Sequence, residues 1–348
     1  MSASNAPASV VDIFCGAGGL SYGFLDEGFS VVAGIDVDEG CRHPYTKNLG
    51  APFLRRDVAE IEAKEICDLF VPNLPRVLVG CAPCQPFSSY NQKNDDPKWQ
   101  LLREFARLIV DIQPDIVSME NVPRLLTFKG GLVFQEFVRT LRAAGYEVNF
   151  DILYGPDFGM AQSRSRLVLL AAKGVGPELP MPTHKDGYRT VADEIADLSP
   201  LGAGEVDPTD RLHRTSKLSE VNLQRIRASK PGGTWRDWPR DLIAGCHQEE
   251  RGRGYSSVYG RMVLDKPSPT ITTQFYGFGN GRFGHPIQDR ALSLREGAML
   301  QGFPRDYSFL PDETEVSFKT IGRMIGNAVP VQLARAIARA VQKHLAGN

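Results

Sequence analysis

The residue best suited to covalent chemistry is Cys84, in the run Val77-Leu-Val-Gly-Cys-Ala-Pro-Cys84-Gln-Pro-Phe-Ser88. The run starts as a buried strand and leaves it at a glycine and two prolines. The thiol is therefore predicted just past the C-terminal end of a parallel strand, the edge where open α/β sheets bind ligands. Pro83 and Pro86 stiffen the backbone on both sides, so the sulfur is positioned rather than mobile. A thiolate held in such a place can act as a nucleophile. Cys81 stands three residues earlier, and Cys81-Ala-Pro-Cys84 admits rival readings: a redox pair, half of a zinc site, or buried structural thiols. No second cysteine pair lies at a suitable distance, so no metal is expected. A polar loop, Gln85 to Pro97, follows where a redox pair would want a long helix. On local grounds the nucleophile leads and the other readings stay open.

Two further groups could share the chemistry. Ile116-Val-Ser-Met-Glu120-Asn121-Val-Pro123 is again an apolar strand that ends in a charged residue, 36 positions beyond Cys84. A carboxyl at a strand end is either an ordinary surface group or, beside a thiolate, an acid. Asp12-Ile-Phe-Cys-Gly16-Ala-Gly18-Gly19-Leu-Ser reads as a strand, a glycine-rich turn and a helix start near Leu20. Such a turn lets a ligand approach the backbone, and the helix N-terminus offers free N–H groups. Asp36, twenty residues after Gly16, ends the next strand, where a carboxylate suits the two hydroxyls of a ribose. The spacing is Gly-x-Gly-Gly, with Ser21 where a dinucleotide site has its third glycine.

The elements that must hold these groups follow from periodicity. Short apolar runs at 10–14, 31–35, 77–80, 116–119 and 167–170 alternate with amphipathic stretches such as Leu101–Gln113 and Val133–Ala144. That alternation predicts a doubly wound, mostly parallel α/β sheet covered on both faces. From about residue 174 to 288 the chain is rich in Pro, Gly, Arg and Trp and poor in periodicity, which predicts a loop-rich second domain. Trp235 and Trp238 are read as its core anchors rather than as stacking groups. Helical pattern returns at Ser293–Leu300 and from Val331 onward.

Net charge is −1, but Arg211–Arg305 carries 16 Arg/Lys against 8 Asp/Glu. A basic segment in an otherwise acidic chain fits a nucleic-acid-facing portion, although chance drift of surface charge gives the same count. The six cysteines are scattered, which suits reduced thiols. The sequence shows neither a membrane-spanning run nor a leader pattern, so a cytoplasmic protein with no membrane partner is expected.

Six segments in one order carry a family resemblance. They are Asp12–Ser21, Pro83-Cys84-Gln85, Glu120-Asn121-Val122, Gln162-Ser-Arg164-Ser-Arg166, Arg295-Glu296 with Leu300-Gln-Gly-Phe-Pro304, and Gly326-Asn327-Ala-Val-Pro330. Together they resemble the ordered motifs of the cytosine-C5 DNA methyltransferases, of the bacterial restriction-modification type, over nearly the whole chain.

The resemblance implies a sheet of the S-adenosylmethionine-dependent methyltransferase type. Residues 1–183 with 322–348 would form the catalytic and cofactor-binding domain, and 184–321 a smaller target-recognition, DNA-binding domain. It implies that Cys84 adds to C6 of a flipped-out cytosine, that Glu120 protonates N3, and that Arg164 holds the O2 edge. Asn121 and Arg166 would brace the pocket. S-adenosyl-L-methionine, leaving as S-adenosyl-L-homocysteine, would lie on Phe14, the turn Gly16, Ala17, Gly18, Gly19 and Leu20, and Asp36. Asp57, Val58, Pro83, Asn327 and Ala328 would complete that site, with Asp57 accepting from the adenine amino group. Val37 stands where many members have an aromatic ring. Double-stranded DNA would be met by Gln85, Ser88, Thr270, Ile271 and Arg282, and the loop Gly277–Gly284, with Phe278, Asn280 and Phe283, is a plausible reader. The family's default is a monomer, with a separate cognate restriction endonuclease as a possible companion. Two alternatives remain: a catalytically inactive DNA-binding relative, and an NAD(P)-type oxidoreductase, which gives no reason for Cys84, Glu120 and the arginine pair.

Overall fold

The computed structural model describes residues 6–83 and 96–347 of the chain. In chain order the main elements are β1 (Ser9–Ile13), α1 (Gly19–Asp26), β2 (Ser30–Asp36), α2 (Arg42–Leu49), β3 (Phe53–Arg55), α3 (Ala63–Cys67) and β4 (Arg76–Gly80). Then come α4 (Leu101–Ile112), β5 (Ile116–Asn121), α5 (Leu132–Ala143), β6 (Tyr146–Tyr154) and β7 (Ser165–Lys173). Helices follow: α6 (Val191–Ile195), α7 (Glu220–Ala228), α8 (Gly245–Gln248), α9 (Glu250–Arg253), α10 (Leu294–Leu300), α11 (Phe318–Asn327) and α12 (Val331–Gly347).

The chain forms two compact units: residues 6–158, 165–183 and 328–347, and residues 159–164 with 184–327. The first holds one seven-stranded sheet in the order β3-β2-β1-β4-β5-β7-β6. Neighbours from β3 to β5 pair in parallel, and β7 runs against both β5 and β6. β1 carries β-branched Val10, Val11 and Ile13 and is buried along its whole length, as a central parallel strand requires. Alternate residues serve opposite cores. Val11, Ile13, Leu78, Val117 and Met119 meet α4 and α5, whose Phe105 and Phe137 rings stack 6.0 Å apart. Val10, Val77, Val79 and Ile116 point the other way and are as deeply buried. On that side Gly34 lies under the Tyr45 ring of α2, and Gly23 of α1 meets Ala334 of α12. α4 shows why it is a helix: Leu102, Phe105, Ala106, Ile109 and Ile112 form one buried stripe, and left-handed Gln113 ends it.

The second unit has no extended strand among the described residues, only isolated bridges. Its aromatic core joins Trp235, Trp238 and Phe278, so the two tryptophans are core anchors as expected. In α10, Ser293 and Glu296 form a capping box, and Glu296 makes a two-pronged, fully buried pair with Arg290 at 2.8 and 2.6 Å.

The observed units differ from the expected boundaries at two places. Residues 159–164 belong to the second unit because Ala161 and Ser163 exchange backbone hydrogen bonds with Ser268. Residues 322–327 do so because α11 approaches the backbone at Thr272 closely: a Cβ on Gly326 would lie 2.4 Å from it. α11 ends at Asn327 and α12 begins at Val331, with Pro330 between them.

The contact of α1 with α12 has no room to spare. A Cβ on Gly23 would lie 2.4 Å from the Ala334 methyl and 2.7 Å from the Arg335 nitrogen. Gly23→Val is expected to cost about 1–3 kcal/mol by overpacking, read as a drop of several degrees in thermal unfolding. An unchanged midpoint would mean that these two helices separate freely.

Candidate active site

At the end of β1 the chain turns through residues that few side chains tolerate. Phe14, Gly16 and Gly18 have φ of 65°, 50° and 93°, the left-handed region that glycine enters freely and phenylalanine does not. Phe14 is held there by two bonds: its N–H and that of Cys15 both donate to the Ile35 carbonyl, at 2.9 and 3.1 Å. Its ring meets Phe105 edge-on. α1 begins directly after the turn with no side-chain cap and no acid in its first turn, so its N-terminal dipole is uncompensated by its own side chains. Gly19 cannot carry a side chain, because a Cβ would lie 2.3 Å from the Val329 carbonyl and 3.4 Å from the Ala328 methyl. At Gly16, by contrast, a Cβ would meet nothing within 4 Å. The turn is thus open on the side of Gly16 and closed behind Gly19.

Asp36 ties the second strand to this turn. Its Oδ2 accepts from the Gly16 N–H and its Oδ1 from the Asp38 N–H, both at 2.9 Å. Burial raises its pKa, opposed by the Asp38 and Gly16 N–H groups. Val37 beside it is 57% exposed, unusual for a large apolar residue. Asp57 lies two residues past β3, and its Oδ1 accepts from the Ala59 N–H at 3.0 Å. Val58, Ala17 and Leu20 are buried, and Val58 belongs to the core beneath the site. These features fit the chemistry of S-adenosylmethionine: an open glycine turn, an uncapped helix start, a carboxylate at the end of β2, and an exposed apolar side chain.

The same edge carries Glu120 and Asn121 at the end of β5. Both are buried. Asn121 Nδ2 donates to the Ala82 carbonyl at 3.0 Å, and its Oδ1 accepts from the Val122 N–H. That bond clamps β5 to the segment that leads through Pro83 into Cys84. Glu120 Oε2 accepts from the Cys81 thiol at 2.9 Å. Its Oε1 lies 2.9 Å from Arg166 Nε on β7. The N–H is not aligned on that oxygen, so Oε1 is buried with no hydrogen-bond partner. Arg166 also donates to the Ser165 carbonyl at 2.7 Å. Cys84, Gln85 and Ser88 lie outside the described residues.

The remaining expected site residues belong to the second unit. Arg164 is buried and donates to the carbonyls of Ile271 and Gly326, at 3.0 and 3.4 Å. Gln162 accepts from the Ile271 N–H, and Thr270 donates to the Ser163 carbonyl. Ile271, expected to face DNA, is instead fully buried and packs inside the unit. In the expected reading loop, Phe278 and Phe283 also turn inward, leaving Asn280 and Arg282 exposed. Apolar side chains in a loop-rich unit are needed for its core, which explains the inward turn. Asn327 is exposed at the end of α11.

Two features of this sheet edge escape sequence reading. One is the bond between Cys81 and Glu120, set by strand register. The other is a buried network in which Ser21 Oγ donates to Asp12 Oδ2 at 2.6 Å and meets the Tyr45 hydroxyl at 2.9 Å. Burial pushes Asp12 up to about 7, against the Ser21 bond, and its Oδ1 has no hydrogen-bond partner. Burial also pushes the Cys15 thiol well above its ordinary value, so it stays protonated and is a poor nucleophile.

A doubly wound sheet with an antiparallel β7, an open glycine turn and a carboxylate after β2 defines an α/β enzyme of the methyltransferase class. The family described as C-5 cytosine-specific DNA methylase matches residues 8–343. The Type II methylase M.HgiDII of Herpetosiphon aurantiacus is 52% identical over 342 residues, spanning 97% of this chain and 96% of its own. The Type II methyltransferase M1.HphI of Haemophilus parahaemolyticus is 33% identical over 96% of this chain and 86% of its own. The structure of the S. pombe Dnmt2 methyltransferase superposes with a TM-score of 0.69 at 17% identity, covering 97% of this chain and 99% of that one. The chain belongs to the C-5 cytosine-specific DNA methylase family. Membership makes it a DNA (cytosine-5)-methyltransferase acting on double-stranded DNA, and the family implies S-adenosylmethionine as methyl donor.

Asp12 gives a pH test of the site. Its pKa is about 7 in the fold against an ordinary 3.8. The unfolded chain therefore releases this proton first, and stability is lost as pH rises from about 4 to about 7. Asp12→Asn keeps an oxygen for Ser21 and has nothing to ionise. It is expected to unfold several degrees higher than the parent at pH 8, with the gap closing toward pH 4. An equal gap at both pH values would show that Asp12 is ionised in the fold.

Proposed function

We propose that the protein methylates C5 of a cytosine rotated out of a specific duplex sequence, through a transient bond between Cys84 and C6 of the base. The observation that carries this reading is the setting of Glu120. It is a buried carboxyl beside the segment that leads into Cys84, with one oxygen left without a hydrogen bond. A buried polar atom without a partner is costly in a native fold and calls for an explanation; the edge of a bound base supplies one.

C5 of cytosine is a weak nucleophile, and the base inside a duplex is out of reach, so it must be extruded first. As the Cys84 sulfur bonds to C6, the ring's electron pair moves toward N3, where Glu120 delivers a proton. C5 is then electron-rich. Bound S-adenosylmethionine supplies an electrophilic methyl group there. Loss of the C5 proton to water, return of the N3 proton to Glu120 and departure of the Cys84 thiolate restore the aromatic ring. Arg166 neutralises Glu120 between turnovers, and Asn121 holds the segment that carries the thiol in register with the acid. Arg164, pinned by two carbonyls, is assigned the O2 edge of the base.

Phe14, Gly16, Ala17, Gly18, Gly19 and Leu20 are assigned to the cofactor, with Asp36 on its ribose and Val37 covered by its adenine. Asp57, Val58, Pro83, Asn327 and Ala328 are assigned to the rest of that site. The second unit is assigned the reading of DNA, through Thr270, Arg282 and its exposed arginines, along with Gln85 and Ser88 from the first. Its excess of basic residues supports this, since phosphate contacts dominate DNA affinity. The Type II relatives support a role in restriction and modification, and with that role we assign a monomer in the bacterial cytoplasm beside a separate endonuclease. Among the described residues no helix is long and apolar enough to cross a membrane.

A duplex carrying 5-fluorocytosine at the target blocks the last step, because fluorine does not leave as a cation. With the methyl donor present, the protein is expected to form a denaturant-stable adduct with it, and Cys84→Ala to bind the duplex without forming one. An adduct with Cys84→Ala would sink the assignment. S-adenosylmethionine at a hundred times its Kd is expected to stabilise the fold by about 2.7 kcal/mol, while NAD leaves thermal unfolding unchanged.

A further inference from the structure

We propose that Cys81 is a positioning residue for methyl transfer: its thiol holds one oxygen of Glu120 and thereby reserves the other for the cytosine ring. The proposal rests on the reading of Glu120 given above. Cys81 Sγ and Glu120 Oε2 are 2.9 Å apart. Two proton-free atoms, a thiolate and a carboxylate, would repel each other at that separation, so one proton lies between them. A thiol gives up its proton far less readily than a carboxyl does. The S–H therefore donates and Oε2 accepts, whether or not Oε1 carries the proton that goes to the base.

This bond is the one aligned hydrogen bond made by the Glu120 side chain among the described residues. Arg166 on β7 is the charged group that faces the carboxylate from the other side, at 2.9 Å but out of line. An ion pair without alignment neutralises charge and leaves the carboxyl plane free to turn, because the last torsion of a glutamate is broad. The thiol removes that freedom. With Oε2 held, Oε1 is the oxygen left to meet the base.

Strand pairing makes the contact robust. β4 and β5 run in parallel with Val79 beside Ser118 and Gly80 beside Met119, so the next pair in register is Cys81 and Glu120. The Asn121 bond to the Ala82 carbonyl fixes the same register one residue on. Cys81 therefore works through Glu120 and has its own place in the site, separate from any pairing with Cys84.

The test compares Cys81→Ala, which removes the donor, with Cys81→Ser, which keeps one. Steady-state kcat, KM for DNA and the pH dependence of kcat are measured on the full-length enzyme, with thermal unfolding as a check on folding. Where Cys81→Ala unfolds, Cys81→Val takes its place, larger than the alanine and equally without a donor. Loss of the donor is expected to lower kcat about tenfold and to leave KM for DNA within about twofold. It should also move the alkaline limb of the kcat profile to higher pH, since a hydrogen bond to a carboxylate favours its ionised form. Cys81→Ser should recover most of the rate and return the limb toward its original place. A wild-type kcat and limb in Cys81→Ala would overturn the proposal, as would a folded Cys81→Ser no better than Cys81→Ala. Glu120→Gln separates the two readings. If it methylates at the normal rate, the role of Glu120 itself is wrong; if it is inactive while Cys81→Ala is unimpaired, only the role of Cys81 falls.

Discussion

Everything in the first unit depends on parallel strands ending together. Val79 pairs with both Asp12 and Ser118, so β1, β4 and β5 reach the same edge within a residue or two. β2 ends there as well, at Asp36 beside Arg55. The glycine turn, the Asp36 carboxylate, the segment entering Cys84, and Glu120 are therefore neighbours although 108 residues separate Asp12 from Glu120. A parallel ladder brings this about because its hydrogen bonds tolerate little slippage once both faces are buried. The cost appears where the chain must leave the edge abruptly, in the left-handed backbone of Phe14. Strain of that kind persists only where the surroundings over-determine it, and two bonds to one carbonyl and a ring contact do so here.

Three buried carboxyls show how burial is answered in three ways. Asp12 has no cation beside it, only the Ser21 hydroxyl and backbone N–H, and burial pushes it up to about 7, so near neutrality it is often uncharged. Glu296 is as deeply buried, but a two-pronged Arg290 outweighs burial and its pKa falls below the ordinary range. That pair braces the second unit and has no spare valence. Glu120 has a thiol on one oxygen and an unaligned guanidinium near the other. Full pairing would make it inert, and no pairing would leave it expensive to keep. Partial satisfaction is what a carboxyl needs if it is to exchange a proton with a visitor.

The sequence made the first unit readable where local pattern and tertiary need agree. The runs at 10–14 and 116–119 are largely apolar, with Asp12 and Ser118 the exceptions, because both faces of their strands are covered, and α4 and α5 fall within a residue of their predicted ends. β3 and β6 were not predicted. β3 is three residues long, and in edge-strand β6 only Tyr146, Val148 and Leu153 are buried, which offers no clean alternation. The glycine turn, Asp36 and Glu120 stand in motifs and could be found. Cys81 was weighed only against Cys84, since nothing in one sequence gives the register of two strands. Ile271, Phe278 and Phe283 were placed outside because a loop-rich segment hides which apolar residues it needs for its own core.

The same difficulty bears on the basic segment. A count of Arg and Lys treats every cation as available to phosphate, but a unit without a sheet has many backbone carbonyls to satisfy. Arg261 donates to the carbonyls of Ile226, His285 and Gln288, and Arg295 to that of Tyr307 while gripping Asp210. Arg290 is entirely enclosed with Glu296. Guanidinium suits this work because its five donors fan out in one plane. These arginines are internal braces, each matched by an acid, so they add structure without adding field at the surface. The charge left for a polyanion resides on exposed residues such as Arg236, Arg240, Arg253 and Arg282. The compositional signal thus joins two causes, a fold that needs arginine to hold irregular backbone and a surface that carries the unmatched surplus.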